Sequence, residues 1–215
     1  MKLFDNHSHL NDEKFDNDRE EVIKKICESG VTNFITAGYS VESSKKALEM
    51  ANKYDFIYTT AGISPNDIPQ TEEELWKQLA EIEQIAKEND KKVRAIGEIG
   101  LDYYWNTENK ELQKIAFIEQ IKIANKLDLP IQIHTREAVM DTLQILKENK
   151  VTKAGIFHCC PQNRELIKEG LKNHIYIIGE GEERKKLEQM IKENKINETF
   201  TLLGKKENPY PYIKN

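Results

Sequence analysis

The chain has 215 residues, of which 38% are hydrophobic and 32% charged, with a formal net charge of -5. Its mean hydropathy of -0.70 and the absence of any apolar run near the roughly 20 residues of a membrane span exclude a membrane-embedded chain. The acidic balance does not suit a nucleic-acid coat, although it leaves room for an enzyme that meets phosphates through bound cations.

Short β-branched runs alternate with segments whose apolar residues recur at helical spacing, the pattern of repeated βα units around a parallel sheet. In chain order, strands are expected over 2–6, 32–37, 56–61, 93–96, 130–134, 155–158, 174–178 and 199–203. Helices with charged outer faces are expected between them over 18–29, 41–54, 71–89, 111–127, 136–149, 163–172 and 182–195. Eight strands and seven helices predict an α/β fold: a TIM-type (β/α)8 barrel with its last helix missing, in one domain spanning residues 1–215. The opening Met1-Lys2-Leu3-Phe4-Asp5 lacks the pattern of a secretory signal, so a cytoplasmic location is expected. Cys27 and the adjacent Cys159 and Cys160 suggest neither a disulfide nor a zinc knuckle.

Barrels of this kind carry their catalytic groups at the C-terminal ends of the strands. Four of the five histidines, His7, His9, His134 and His158, fall at or just past such ends, and Glu98 follows the fourth predicted strand. His7 and His9 are two apart, so on an extended segment both rings point to one side and can grip one ion. Taken alone, that pair is equally well read as two histidines hydrogen-bonded in a barrel mouth. Glu98, His134 and His158 at three other strand ends favour a metal, because imidazole with carboxylate suits Zn, Mn or Fe. Such a set can hold two ions about 3.5–4 Å apart, activating water and neutralising a phosphoryl group. The expected arrangement has Glu98 as the bridge, His7 and His9 on the first ion, and His134 and His158 on the second.

The run Phe4-Asp5-Asn6-His7-Ser8-His9-Leu10 resembles the DxHxHL opening of the TatD-type metal-dependent hydrolases. Further segments resemble that family in the same order: Ala95-Ile96-Gly97-Glu98-Ile99-Gly100-Leu101-Asp102-Tyr103, then Pro130-Ile131-Gln132-Ile133-His134-Thr135-Arg136, then Phe157-His158-Cys159. Gln113, Phe117, Gln120, Ala124 and the turn Leu127-Asp128-Leu129-Pro130 resemble its fourth helix, and together the matches cover about residues 1–172. The resemblance implies a barrel hydrolase that cuts phosphodiesters, typically a DNase. It also implies divalent ions (Mg, Mn or Zn) at the histidine and glutamate positions above, and DNA or another phosphodiester as partner. The expected catalytic group is Glu98 with Arg136 and Asp102, the latter two orienting substrate or ligands; surface salt bridges explain these two about as well. Ile63-Ser64-Pro65-Asn66-Asp67 stands where the family usually shows His-Pro-His, a departure that affects expected substrate contacts. Tyr103, Tyr104 and Trp105 either stack on bases or pack a loop.

From Asn173 onward the pattern changes. Residues 173–215 resemble part of the C-terminal Rossmann-like domain of retaining glycosyltransferases of the GT-B fold. That resemblance implies a chimera in which a foreign segment supplies strands seven and eight. The family's last Asp ligand is then replaced near Gly204, Lys205 and Lys206, weakening the first ion, with Glu180 or Glu182 as substitute ligands or as solvated loop carboxylates. A barrel without its last helix leaves an apolar face that lowers stability or drives oligomerisation. The leading expectation is a metal-dependent phosphodiesterase; the alternative is a catalytically inactive chimeric scaffold with only part of the metal site. Sugar-nucleotide binding through Gly179-Glu180-Gly181 is disfavoured, because the glycine pair is too short for a phosphate-cradling loop.

Overall fold

The computed structural model describes residues 3–105, 107–158 and 163–177. Within them the strands are β1 (Leu3–Ser8), β2 (Val31–Thr36), β3 (Ile57–Ala61), β4 (Val93–Asp102), β5 (Ile131–Arg136), β6 (Gly155–Phe157) and β7 (Ile175–Ile177). The helices are α1 (Arg19–Glu28), α2 (Val41–Lys53), α3 (Glu72–Glu88), α4 (Lys110–Leu127), α5 (Val139–Glu148) and α6 (Arg164–Lys172). The seven strands form one sheet in chain order, and every neighbouring pair is parallel. A parallel pair needs a crossover of this length, which is why a helix follows each of the first six strands.

Local chemistry sets the helix ends. Ser40 accepts from the Ser43 N–H at the start of α2, and Thr71 accepts from the Glu74 N–H at the start of α3. Three glutamates in the first turn of α3 and Lys87 in its last complement the helix dipole. Asn163 caps α6 by accepting from the Glu165 and Leu166 N–H groups. Helix α4 closes on Asp128 in the left-handed region, φ 54°, and the Leu129 N–H bonds back to the Ala124 carbonyl at 3.0 Å. Pro130 then directs the chain into β5.

The main core lies between the sheet and its helices. Ile96, Ile99 and Leu101 of β4 and Ile131 and Ile133 of β5 are buried with Leu75, Leu79 and Ile82 of α3 and Phe117 and Ile121 of α4. The sheet also curls. The Gln132 side chain of β5 donates to the Asn6 carbonyl of β1 at 2.8 Å, although three strands separate β5 from β1 in the sheet. The inner face of the curl therefore brings together residues 126 positions apart.

Strand β4 runs to Asp102, six residues beyond the expected end at 96. Gly100 is required inside the strand. It adopts φ 136°, and a Cβ there would lie 2.0 Å from the His134 carbonyl oxygen of β5. Glu98 thus sits within β4 and not after it, and His7 and His134 likewise lie inside their strands. Helix α5 begins at Val139 and not at 136, because Arg136 still pairs with Asp102 across the sheet and Glu137 takes a positive φ of 52°.

The expected seventh strand is present and pairs in register with β6, Gly155 opposite Ile175. Asn173, where a foreign junction was expected, is buried and knitted into its surroundings. Its amide donates to the Leu146 carbonyl at 3.2 Å and the Glu169 carbonyl at 3.1 Å, and its oxygen accepts from the Val151 N–H at 3.0 Å. The expected helix at 182–195, the eighth strand at 199–203 and the barrel face beside them lie outside the described residues, as do Glu180, Glu182, Gly204, Lys205 and Lys206. Among the described residues no helix is long and apolar enough to cross a membrane.

Candidate metal centre

Four imidazoles surround the Glu98 carboxylate. His7 Nε2 lies 3.7 Å and His9 Nε2 3.4 Å from Glu98 Oε2. On the other side, His134 Nδ1 lies 3.0 Å and His158 Nε2 3.1 Å from Glu98 Oε1. The His7 and His158 rings stack with centroids 4.1 Å apart, so residues on β1 and just after β6 meet at this carboxylate. Ligand atoms of His7, Glu98 and His158 all fall within 4.8 Å of one another. The five expected ligands are therefore brought together; the fifth histidine, His174, is exposed in the turn before β7.

The far nitrogen of three rings is held by an oxygen. His7 Nδ1 donates to Gln132 Oε1 at 2.8 Å, and the bond from Gln132 to Asn6 fixes which end of that amide faces the ring. His9 Nδ1 donates to the Ala37 carbonyl at 3.3 Å, and His134 Nε2 donates to Asp102 Oδ2 at 2.9 Å. A neutral imidazole that donates from one nitrogen carries a lone pair on the other. The opposite nitrogens of His7, His9 and His134 face Glu98, a set of nitrogen and oxygen donors that a cation would draw together. Oxygen partners behind metal-facing histidines are the usual support of such ligands. The donor set fits a divalent ion.

The electrostatics agree. Burial alone would raise the pKa of Glu98, but hydrogen bonding to His134, His158 and His9 outweighs it and holds the carboxyl well below the usual range. Burial also works against ionisation of Asp102, and the Trp105 N–H, His134, the Tyr104 N–H and Asn66 together reverse that effect. His7 is pushed down to about 4, first by burial and then by the neighbouring His158, so its ring is neutral at physiological pH. For His134, the flanking Glu98 and Asp102 overcome burial and raise the pKa. The two ionised carboxylates, Glu98 and Asp102, give the site negative charge that a divalent cation balances.

Asp102 is buried and acts through other groups. Its Oδ1 accepts from the Tyr104 and Trp105 N–H groups at 2.9 and 3.0 Å, while Oδ2 holds His134 and lies 3.4 Å from Asn66 Nδ2. The surface-salt-bridge alternative for Asp102 is thereby corrected, since the residue has no exposure. Arg136 is exposed. Its guanidinium carbon lies 3.9 Å from the Tyr104 ring centroid and 5.4 Å from that of Trp105. Among the described residues it pairs with no carboxylate. Tyr103 packs its loop, donating to Asp141 Oδ2 at 2.6 Å, whereas Tyr104 and Trp105 remain 48% and 68% exposed.

Several supporting residues escaped the sequence reading. Gln132 orients His7, and Asn66 contacts Asp102 from the segment that departs from His-Pro-His. Gln113 brackets Asp102, accepting from its N–H at 2.9 Å and donating to its carbonyl at 3.1 Å. Asn11 ties the segment after His9 to the Ala37 and Ser43 carbonyls, at 3.2 Å each. The available signal for Gln132 was a lone amide inside the apolar run Ile131-Gln132-Ile133.

A curled parallel sheet with histidines and a buried carboxylate at its centre defines a metal-dependent hydrolase of barrel type. The model of the TatD related DNase family matches residues 4–201, and the chain belongs to that family. The match crosses Asn173 and runs through most of the segment assigned above to a glycosyltransferase, so the chimeric reading is withdrawn. Strand-helix-strand patterns are common to all parallel α/β folds, which explains how a local likeness misled.

The chain is 39% identical to the metal-dependent hydrolase YabD of Bacillus subtilis, over 89% of this chain and 75% of that protein. It is 32% identical to the 3'-5' ssDNA/RNA exonuclease TatD of Salmonella typhimurium, over 81% of this chain and 66% of that protein. It thus spans about two thirds to three quarters of the length of these curated relatives. A solved TatD-family hydrolase of Entamoeba histolytica shares 27% identity at a TM-score of 0.71, covering 83% of this chain and 64% of that one. The TatD homologue YJJV of Escherichia coli superposes with a TM-score of 0.77 over 88% of this chain and 73% of that one; at 24% identity it supports the fold alone.

Proposed function

We propose that the chain is a single barrel domain over residues 1–215 that hydrolyses phosphodiester bonds of single-stranded nucleic acid at a two-ion site. His7 and His9 would hold one divalent ion and His134 and His158 the other, with Glu98 shared between them. The observation that carries this reading is the division of the Glu98 carboxylate, one oxygen facing His7 and His9 and the other facing His134 and His158. Membership of the family and the 3'-5' ssDNA/RNA exonuclease activity of the Salmonella relative support the substrate class.

Divalent ions bound there supply an activated water and neutralise charge on the phosphoryl group. The protein's part is preorganisation. Gln132 and Ala37 aim His7 and His9, Asp102 aims His134, and the burial of Glu98 keeps its carboxylate from being solvated in place of serving as a ligand.

Elemental analysis of the protein after incubation with manganese or zinc and removal of free ion is expected to find two ions per chain, and the loaded protein is expected to degrade a single-stranded oligonucleotide. Glu98→Ala should lose both properties. Unchanged metal content and activity in that variant would remove Glu98 from the site. A single ion, lost on His134→Ala, would reduce the proposal to a half-site.

A further inference from the structure

We infer that Tyr104, Trp105 and Arg136 form a base-stacking subsite for single-stranded nucleic acid, joined to the metal centre through Asp102. The inference rests on the proposed hydrolysis and specifies how the substrate is held.

Tyr104 and Trp105 are adjacent, large and exposed, with ring centroids 4.7 Å apart at an interplanar angle of 88°. Arg136 lies over the Tyr104 ring, reached from β5 because Asp102 and Arg136 are parallel partners in the sheet. The cluster thus combines flat apolar surface with a cation that has no carboxylate partner among the described residues. The other exposed tryptophan, Trp76, lies on α3 and donates to Glu72 at 3.0 Å, with no such cation recorded beside it.

Exposure alone would suit any partner, but position selects one. One Asp102 oxygen takes the Tyr104 and Trp105 N–H groups and the other takes His134 Nε2. The aromatic pair and a metal-facing imidazole therefore hang from the same buried carboxylate, and the backbone that carries the rings is already held in place. Such preorganisation lowers the cost of ordering a bound strand. A nucleobase next to the phosphate being cut meets this surface with its π-face, and Arg136 adds attraction for the base and its phosphate. In a duplex those faces are covered by neighbouring bases, so the subsite favours single strands. Stacking accepts every base, which suits a nuclease without sequence preference.

Two measurements test this. In a Trp76→Phe background, zinc-loaded protein is titrated with a phosphorothioate oligothymidylate, which resists hydrolysis, and with an abasic strand of the same length and linkage. Quenching of Trp105 fluorescence by the base-bearing strand at concentrations where the abasic strand has no effect is expected; equal quenching by both would overturn the subsite. In manganese-loaded protein, Trp105→Ala is expected to lower the ratio of kcat/KM for ordinary oligothymidylate over the abasic strand by about tenfold, with Trp105→Phe restoring most of it. An unchanged ratio would likewise overturn the subsite. Loaded wild-type protein that cleaves neither strand contradicts the proposed hydrolysis, and the quenching experiment still decides the stacking surface.

Discussion

At Glu98 two imidazole pairs meet one carboxylate, and the residues behind those rings decide how well the arrangement works. Asp102→Asn keeps an oxygen for the Tyr104 and Trp105 N–H groups but offers an amide nitrogen to His134, which then loses its acceptor. Metal affinity is expected to fall about 10–100-fold, read by competition with a chromogenic zinc chelator; an unaltered affinity would deny Asp102 its positioning role. Gln132→Leu keeps the volume and removes both the partner of His7 Nδ1 and the donor to the Asn6 carbonyl. It should destabilise the fold by about 1–3 kcal/mol in urea denaturation and weaken the His7 side of the site. The histidines and Glu98 were legible in the sequence because imidazole and carboxylate are metal-competent side chains and each falls in or within three residues of a predicted strand. Gln132 and Asn66 were not, since an amide gains its role only from the group it faces, 125 residues away for Gln132 and His7.

Among the elements, β4 matters most for the site because it carries both Glu98 and Asp102. Its close approach to β5 depends on Gly100. Gly100→Ala adds a Cβ 2.0 Å from the His134 carbonyl oxygen at a φ of 136°, and backbone cannot yield there without displacing His134. The expected loss is about 3 kcal/mol or more, measured by chemical denaturation, with poor metal binding in whatever folds. By contrast, Asn163→Ala removes a cap from α6 on the outside of the sheet and should cost about 1 kcal/mol with metal content intact. The helices were readable from the spacing of their apolar residues and their charged outer faces. The length of β4 was not, because glycine punctuates most strands and here permits one to pass closely beside another.

For the whole molecule, the proposed ligands lie on or just after β1, β4, β5 and β6, so an ion bound at the centre would tie distant segments of the chain together. Zinc at about 100 times its dissociation constant should add about 2.7 kcal/mol to folding. For a chain of this size that corresponds to a rise in Tm of about 5–10 °C, seen by thermal denaturation with and without the ion. Chelation should reverse the shift, and Glu98→Ala should show almost none. An equal shift in wild type and variant would place the ion elsewhere.

The sequence by itself determined the βα repeat and singled out the cluster of metal-competent residues, because periodicity and side-chain chemistry are properties of residues and their near neighbours. It misjudged the segment after Asn173, where a strand and helix of general α/β character resemble more than one fold, and it left open whether Asp102 and the aromatic run served the site or the surface. The family match overturned the reading of that segment, and the tertiary structure decided the surroundings of Asp102 and of the aromatic rings. Curling of the sheet brought His7 against His158, buried Asp102 between His134 and the Tyr104–Trp105 backbone, and left the two rings exposed beneath Arg136. Such relations depend on packing across the barrel interior, and no local pattern in the chain encodes them.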